Sequence, residues 1–338
     1  MSFRKIVFGF IATTLLLVGF HALPVSAQAA NANAAQGVQI SPTLIELPNN
    51  LVKGKTYTIN VTVTNVTGSN LLYKTSVSDF GASGETGSPH IFINTALTAA
   101  SSIRTWVEAI PQFTLASHQS RTVTALITIP NNAEPGGHYG VLQFSGTAPS
   151  INQTGVGLSA SAGVLLLLRV EGAITEKASL ASFYTSSTEN GKESSFFENG
   201  PAYFVVRIQN EGNIHVKPVG NIEVTDMFGG LVANLPINQS QSNVLPSSIR
   251  RFIGAEVNKG WMLGKYTANL TMGYGTSGQA ITGTISFWVI PYRLILAVLL
   301  VLATVIFIFS RLIKVYNKRI IEKAKNENKN NKSAKGKS

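Results

Sequence analysis

The chain has 338 residues with no cysteine, 27 Lys and Arg against 16 Asp and Glu, and a formal net charge of +11. Lack of Cys excludes disulfides, thiolate metal sites and thiol catalysis. Arg4 and Lys5, with ten basic against two acidic residues from Arg311 onward, leave the middle near +1, so the basic balance gives no basis for nucleic acid binding by a folded region.

Residues 1–27 read as a secretory signal peptide: Arg4 and Lys5, an apolar run from Ile6 to Phe20, and the small-residue ending Val25-Ser26-Ala27. Residues 28–36, QAANANAAQ, form a flexible leader. From Gly37 the pattern is that of β structure. Tyr57 to Thr64 alternates apolar and polar with many β-branched residues. Further strands are predicted at Tyr73 to Val77, Ile91 to Ile93, Thr122 to Ile129, Tyr139 to Phe144 and Gly163 to Val170, separated by Asn-, Gly- and Pro-rich turns. Val164 to Leu168 is too short to span a membrane and reads as a strand covered on both faces, while Ala96 to Val107 has room for a short helix. Sequons stand at Asn60, Asn65, Asn152, Asn238 and Asn269 and matter only in a host that glycosylates them.

The pattern then repeats. Val63-Thr64-Asn65, Gly68-Ser69-Asn70 and Asp79-Phe80-Gly81 are answered by Ile208-Gln209-Asn210, Gly212-Asn213-Ile214 and Asp226-Met227-Phe228-Gly229, and Gly137-His138-Tyr139 by Gly264-Lys265-Tyr266. The offset falls by roughly 18 residues between Asn65/Asn210 and Tyr139/Tyr266, which places an insertion between Phe80 and Phe113 of the first copy. The expected fold is all-β: two tandem immunoglobulin-like sandwiches over residues 37–172 and 173–288. Trp106, Tyr139 and Tyr266 are expected in the cores, the two tyrosines as ring-in, hydroxyl-to-backbone pins. Asp79 and Asp226 are expected in turns.

Leu294 to Ser310 runs for seventeen residues without a charge. At about 1.5 Å per residue this approaches the roughly 30 Å hydrocarbon thickness of a bilayer, so residues 289–310 are expected to cross a membrane once. Trp288 and Tyr292 stand at one interface and Arg311 and Lys314 at the other. Residues 311–338 make a basic tail on the cytoplasmic side that reads in two ways, as a helix continuing against anionic headgroups to Lys325 or as charges that only fix topology, with the chain disordered beyond Lys325. The expected location is a bacterial cell membrane with the sandwiches outside.

Gly37-Val38-Gln39-Ile40-Ser41-Pro42, Trp106-Val107 with Phe113-Thr114-Leu115, and Ile129-Pro130-Asn131-Asn132-Ala133-Glu134-Pro135-Gly136-Gly137-His138-Tyr139-Gly140 resemble the first module of WxL-interacting cell-surface proteins of Gram-positive bacteria. Asn210 to Pro218 and Phe287 to Pro291 resemble the second module and membrane entry of related bacterial envelope proteins. That resemblance implies peptidoglycan or surface partners for the first module and host proteins for the second. Chemistry leaves no comparable trace. His90, His118, His138 and His215 are widely separated, the acids are scattered, and no nucleophile or phosphate-loop motif is present, so no catalytic, cofactor or metal site is expected. The functional expectation is a membrane-anchored binding protein for cell wall or envelope proteins, acting through loops such as Ser145 to Ala162 and Gly81 to Gln112. Two alternatives stand beside it. One is an assembly scaffold holding a partner by β-strand addition, and the other, more remote, is an enzyme with a site formed only on folding.

Overall fold

The computed structural model describes residues 37–335 apart from 48–49, 93–99, 148–159, 202, 255–256 and 258–261, so the expected signal peptide and leader lie outside the described residues. Two β-sandwiches follow each other and one long helix ends the chain. The first holds β1 (Val38–Ser41), β2 (Leu44–Glu46), β3 (Thr56–Asn65), β4 (Leu71–Ser83), β5 (Ser88–Phe92), β6 (Phe113–Leu115), β7 (Ser120–Thr128), β8 (Gly136–Thr147) and β9 (Ala160–Val170). The second holds β10 (Ala178–Ser186), β11 (Phe196–Phe197), β12 (Tyr203–Asn210), β13 (Val219–Asp226), β14 (Leu231–Ile237), β15 (Ile249–Gly254), β16 (Gly264–Tyr274) and β17 (Gln279–Val289).

The duplication read from sequence is a duplication of topology. Sheet order β1-β3-β7 facing β2-β9-β8-β4-β5 recurs as β10-β12-β15 facing β11-β17-β16-β13-β14. Even the parallel pairs correspond, β2 with β9 and β11 with β17. Alternation decides which side chains enter each core. In β3, Ile59, Val61 and Val63 are buried, while the alternating Asn60, Thr62 and Thr64 make cross-strand hydrogen bonds to β7 on the outer face. Asn65 and Asn210 hold the same place in the two copies. Each is fully buried at a strand end and donates through Nδ2 to carbonyls of neighbouring segments, Ser69 and Leu115 in one copy and Ile214 and Val244 in the other.

The insertion of the first copy is not a free loop in its described part. A 3-10 turn at Ile103–Thr105 leads into Trp106, and Ile103, Trp106 and Val107 are buried in the first core. Backbone bonds from Glu108 to Leu126 and from Thr128 to Trp106 cover part of the outer edge of β7.

The C-terminal helix, α1 (Tyr292–Lys335), starts later and ends later than expected. β17 runs to Val289, and Ile290 still donates to Phe197, so Pro291 is the first residue free to turn into a helix. Beyond Lys325 the chain stays helical as far as Lys335, a correction to the disordered tail. No Gly or Pro interrupts residues 292–335, and Lys, Glu, Ala and Ile hold their helical preference there against the weaker Asn. This helix is long and apolar enough to cross a membrane, and its apolar side chains are exposed.

Candidate functional site at the interdomain cleft and the β9 edge

β9 reads Val-Leu-Leu-Leu-Leu because both of its faces are used. Val164, Leu166, Leu168 and Val170 enter the first core. Leu165, Leu167 and Arg169 point the other way, toward the second sandwich. Phe80, Val141 and Leu167, with the partly buried Tyr139, form an outer face outside the first core, Phe80 edge-on to the Tyr139 ring at 6.0 Å. Tyr139 is thus displaced from its expected role. It is an interdomain residue, because the strand's alternation gives the core position to its neighbour Gly140, which is packed against Ile103.

At this junction the Tyr139 hydroxyl accepts from the His215 backbone N–H at 2.8 Å and lies 3.1 Å from His215 Nδ1. His215 Nε2 lies 2.8 Å from Glu46 Oε1, and Lys217 Nζ donates to Glu46 Oε2 at 2.5 Å. A neutral imidazole satisfies every partner: Tyr139 donates to Nδ1, and Nε2–H donates to Glu46. Burial pushes the His215 pKa down from its ordinary value, against the opposing pull of Glu46. Burial also pushes the Glu46 carboxyl up, but hydrogen bonds from Lys217 and His215 outweigh it and hold Glu46 below its ordinary value. Tyr139 is raised by burial. A second tie joins Glu85 of the β4–β5 turn to Arg207 of β12, with Arg207 Nε donating at 2.7 Å, and the Glu85 carbonyl accepts from the Arg251 N–H at 2.8 Å. The hydrogen bonds from Arg207 hold Glu85 below its ordinary value. In the connection between sandwiches, Glu176 accepts from Thr276 N and Oγ1 and stands 3.4 Å from Arg169 Nη1.

Beside this junction an apolar cleft of about 240 Å³ is lined by Leu44, Phe80, Leu165 and Leu167 from the first sandwich and Leu245 and Ile249 from the second. β9 continues outward from the cleft. Leu165 donates to Thr43, so odd-numbered residues of β9 present their backbone away from β8. β2 pairs with β9 only at Leu165 to Leu167. Among the described residues, Ser161 and Gly163 are therefore left with outward N–H and C=O groups that no strand pairs with, while β1 of the facing sheet passes close to β9. Four other edges are blunted: Pro89 in β5, Pro236 in β14, a register shift in β10, and the 106–108 segment on β7.

Of the other sequence candidates, Trp106 is 1 % exposed and lies against the His138 ring. Tyr266 lies in the second core, its hydroxyl bonded to the Leu263 backbone. Asp226 shapes a turn, accepting from the N–H groups of Phe228 and Gly230. Asp79 does not: it is buried inside β4 and accepts from Ser102 Oγ at 2.6 Å and Ile103 N at 2.9 Å, so it fastens the insertion. Trp288 and Tyr292 are about half exposed, and Arg311 and Lys314 are exposed on α1. Part of the loop Ser145 to Ala162 and residues 93–99 of Gly81 to Gln112 lie outside the described residues. Sequence reading missed Glu46, Glu85, Arg207 and Lys217 altogether. The one available signal was the apolar run of β9, which demands a cover on its second face. No group of three His, Asp or Glu arranged to hold a metal occurs among the described residues.

The architecture defines a two-domain immunoglobulin-like protein with one C-terminal helix of membrane-span type. No family model and no curated protein matches the chain. Solved structures similar to it include the class 5 fimbriae chaperone CfaA, at 12 % identity over 73 % of this chain and 98 % of that one with a TM-score of 0.38. Others are the E. coli chaperone DraB, at 12 % identity, 75 % and 96 % coverage and 0.33, and a chain from the Salmonella enterica SafA pilin complex with the SafB chaperone, at 11 %, 74 % and 96 % and 0.34. These findings overturn the resemblance to WxL-interacting proteins, whose turn and core signatures are shared by sandwiches generally. At such identities the similarity concerns the fold and assigns no activity.

Proposed function

We propose that the chain is a membrane-tethered assembly protein of the cell envelope that holds a partner polypeptide by β-strand addition along the open edge of β9. The observation supporting this reading is the outward-facing, unpaired backbone at Ser161 and Gly163, next to an apolar cleft able to take a partner's side chains. Main-chain bonds would give the affinity and the cleft the selectivity. Ala160, Ser161, Ala162 and Gly163 have small side chains, which lowers the steric barrier to an approaching strand, with Gly37 ahead of β1 set against Ala160. The partner is an extended segment of an envelope polypeptide, and the role is binding rather than catalysis. α1 is read as a single span, with the sandwiches on the exported side and the basic stretch from Arg311 in the cytoplasm.

Backbone recognition has a distinctive test. Full-length chain in detergent, carrying a photo-crosslinking residue at Gln143 on the neighbouring strand, is incubated with envelope proteins of the source organism. Trapping of one polypeptide through an extended segment is expected. Ser161→Ala should leave capture unchanged, whereas Ser161→Pro removes an outward N–H and should weaken it about fivefold, in keeping with about 1 kcal/mol for one hydrogen bond. Equal capture by the proline variant would overturn the reading.

A further inference from the structure

Strand register gathers a row of apolar side chains at the end of the second sandwich that leads into α1. Phe196 stands opposite Trp288, Gly264 opposite Val289, Asp226 opposite Tyr266 and Thr225 opposite Leu231. The ends of β11, β17, β16, β13 and β14 therefore lie side by side, and α1 begins three residues after Val289. Here Phe228 is 89 % exposed, Leu263 62 % and Leu231 61 %, and Met227, Phe196 and Trp288 are about half exposed. Turn tips are ordinarily polar, but Asp226-Met227-Phe228-Gly229-Gly230-Leu231 is apolar at its apex. Gly229 takes φ +83°, open to glycine at little cost, in the turn that puts Phe228 outermost. Among the described residues, two nearby carboxylates are engaged, Asp226 with the turn's own N–H groups and Glu198 with Arg293 at 3.5 Å. Lys265, exposed and opposite Trp288, adds a cation.

We propose that this end of the second sandwich is seated in the headgroup layer of a lipid bilayer, with Phe228, Leu231 and Leu263 immersed and Trp288 and Lys265 at the rim. The proposal rests on the reading of α1 as a membrane span. Lipid is the occupant because the patch is continuous with that helix. Only Ile290 and Pro291 separate β17 from α1, and Ile290 is itself bonded to Phe197, so the patch cannot stand away from the surface the helix enters. Aromatic, leucine and lysine side chains are also the chemistry of an interfacial contact.

The chain has no cysteine, so a single nitroxide label reports one position. Full-length protein labelled at Leu231→Cys is reconstituted into vesicles of phosphatidylcholine and phosphatidylglycerol, and collision with oxygen is compared with collision with a water-soluble nickel chelate. Labels at Phe307→Cys in α1 and Thr122→Cys in the first sandwich mark lipid and water. Leu231 is expected to favour oxygen at least threefold more than Thr122 does, and adding Met227→Glu with Phe228→Glu should abolish that preference while Phe307 stays in lipid. A Leu231 label as water-accessible as Thr122, with Phe307 in lipid, would overturn the docking and leave the span standing. A Phe307 label in water would remove the span and the docking with it. A Leu231 label immobile and shielded from both reagents would mean a protein cover, a second copy or another partner, and would also overturn the proposal.

Discussion

Asn65 and Asn210 show how much a single side chain can organise. Each sits at the end of a β-strand, uses Nδ2 to tie down loop carbonyls and Oδ1 to receive an N–H two residues on, from Thr67 and Gly212 respectively. Replacing either by Ala leaves buried carbonyls without donors, which costs about 1–3 kcal/mol. Asn65→Ala and Asn210→Ala are each expected to lower the unfolding free energy measured in urea by that amount, and the double variant to be near additive, because the sites lie in different sandwiches. The pair was legible as a repeat, though not as a pin, since the bonded carbonyls reach as far as 51 residues away. His215 carries the pH dependence. Its pKa is lower in the folded chain than the ordinary 6.5, so the unfolded chain binds the proton more tightly. Its contribution is complete above about pH 6.5 and is lost as the pH falls below that value; Glu46, also lowered, withdraws its share only below its ordinary 4.5. Unfolding midpoints between pH 7.5 and 5.5 should fall, and His215→Gln should flatten that slope.

At the scale of elements, strands were readable wherever one face meets solvent, because alternation is then unambiguous. β3 and β7 were placed within a few residues for that reason. Asp79 misled because its resemblance to Asp226 lies in sequence alone: the insertion brings Ser102 and Ile103 to the first copy and nothing equivalent to the second. That insertion is structural. Trp106→Ala should cost about 3–5 kcal/mol in denaturant unfolding, as expected for a fully buried large aromatic. The open half of β9 makes an alternating prediction. Amide exchange should be fast at Ser161 and Gly163, whose N–H groups face outward, and slow at Ala162 and Val164, which pair with β8. A bound partner strand should slow the first pair only.

For the whole molecule, the duplicated architecture could be read from sequence but the junction could not. Its bonds join residues 76 to 171 positions apart, from Tyr139 with His215 to Glu46 with Lys217, and no local pattern encodes such pairs. The ties through Glu46, Glu85 and Glu176 should hold the sandwiches at one angle. Paired spin labels at Thr122→Cys and Thr282→Cys are expected to give one narrow distance at pH 7.5, broadening at pH 5 and on Glu85→Gln with Glu46→Gln. Chain direction adds a mechanical consequence. β10 enters the second sandwich at Ala178, bonded to the Tyr274 hydroxyl, and β17 leaves it eleven residues away from that end, at Val289. A pull between the first sandwich and α1 therefore runs along the strands. The β16–β17 ladder, with hydrogen bonds perpendicular to that pull, is loaded in shear, all rungs together, rather than opened one rung at a time. The second sandwich is thus a tension-bearing link, whose rupture under force would need the whole ladder to fail at once.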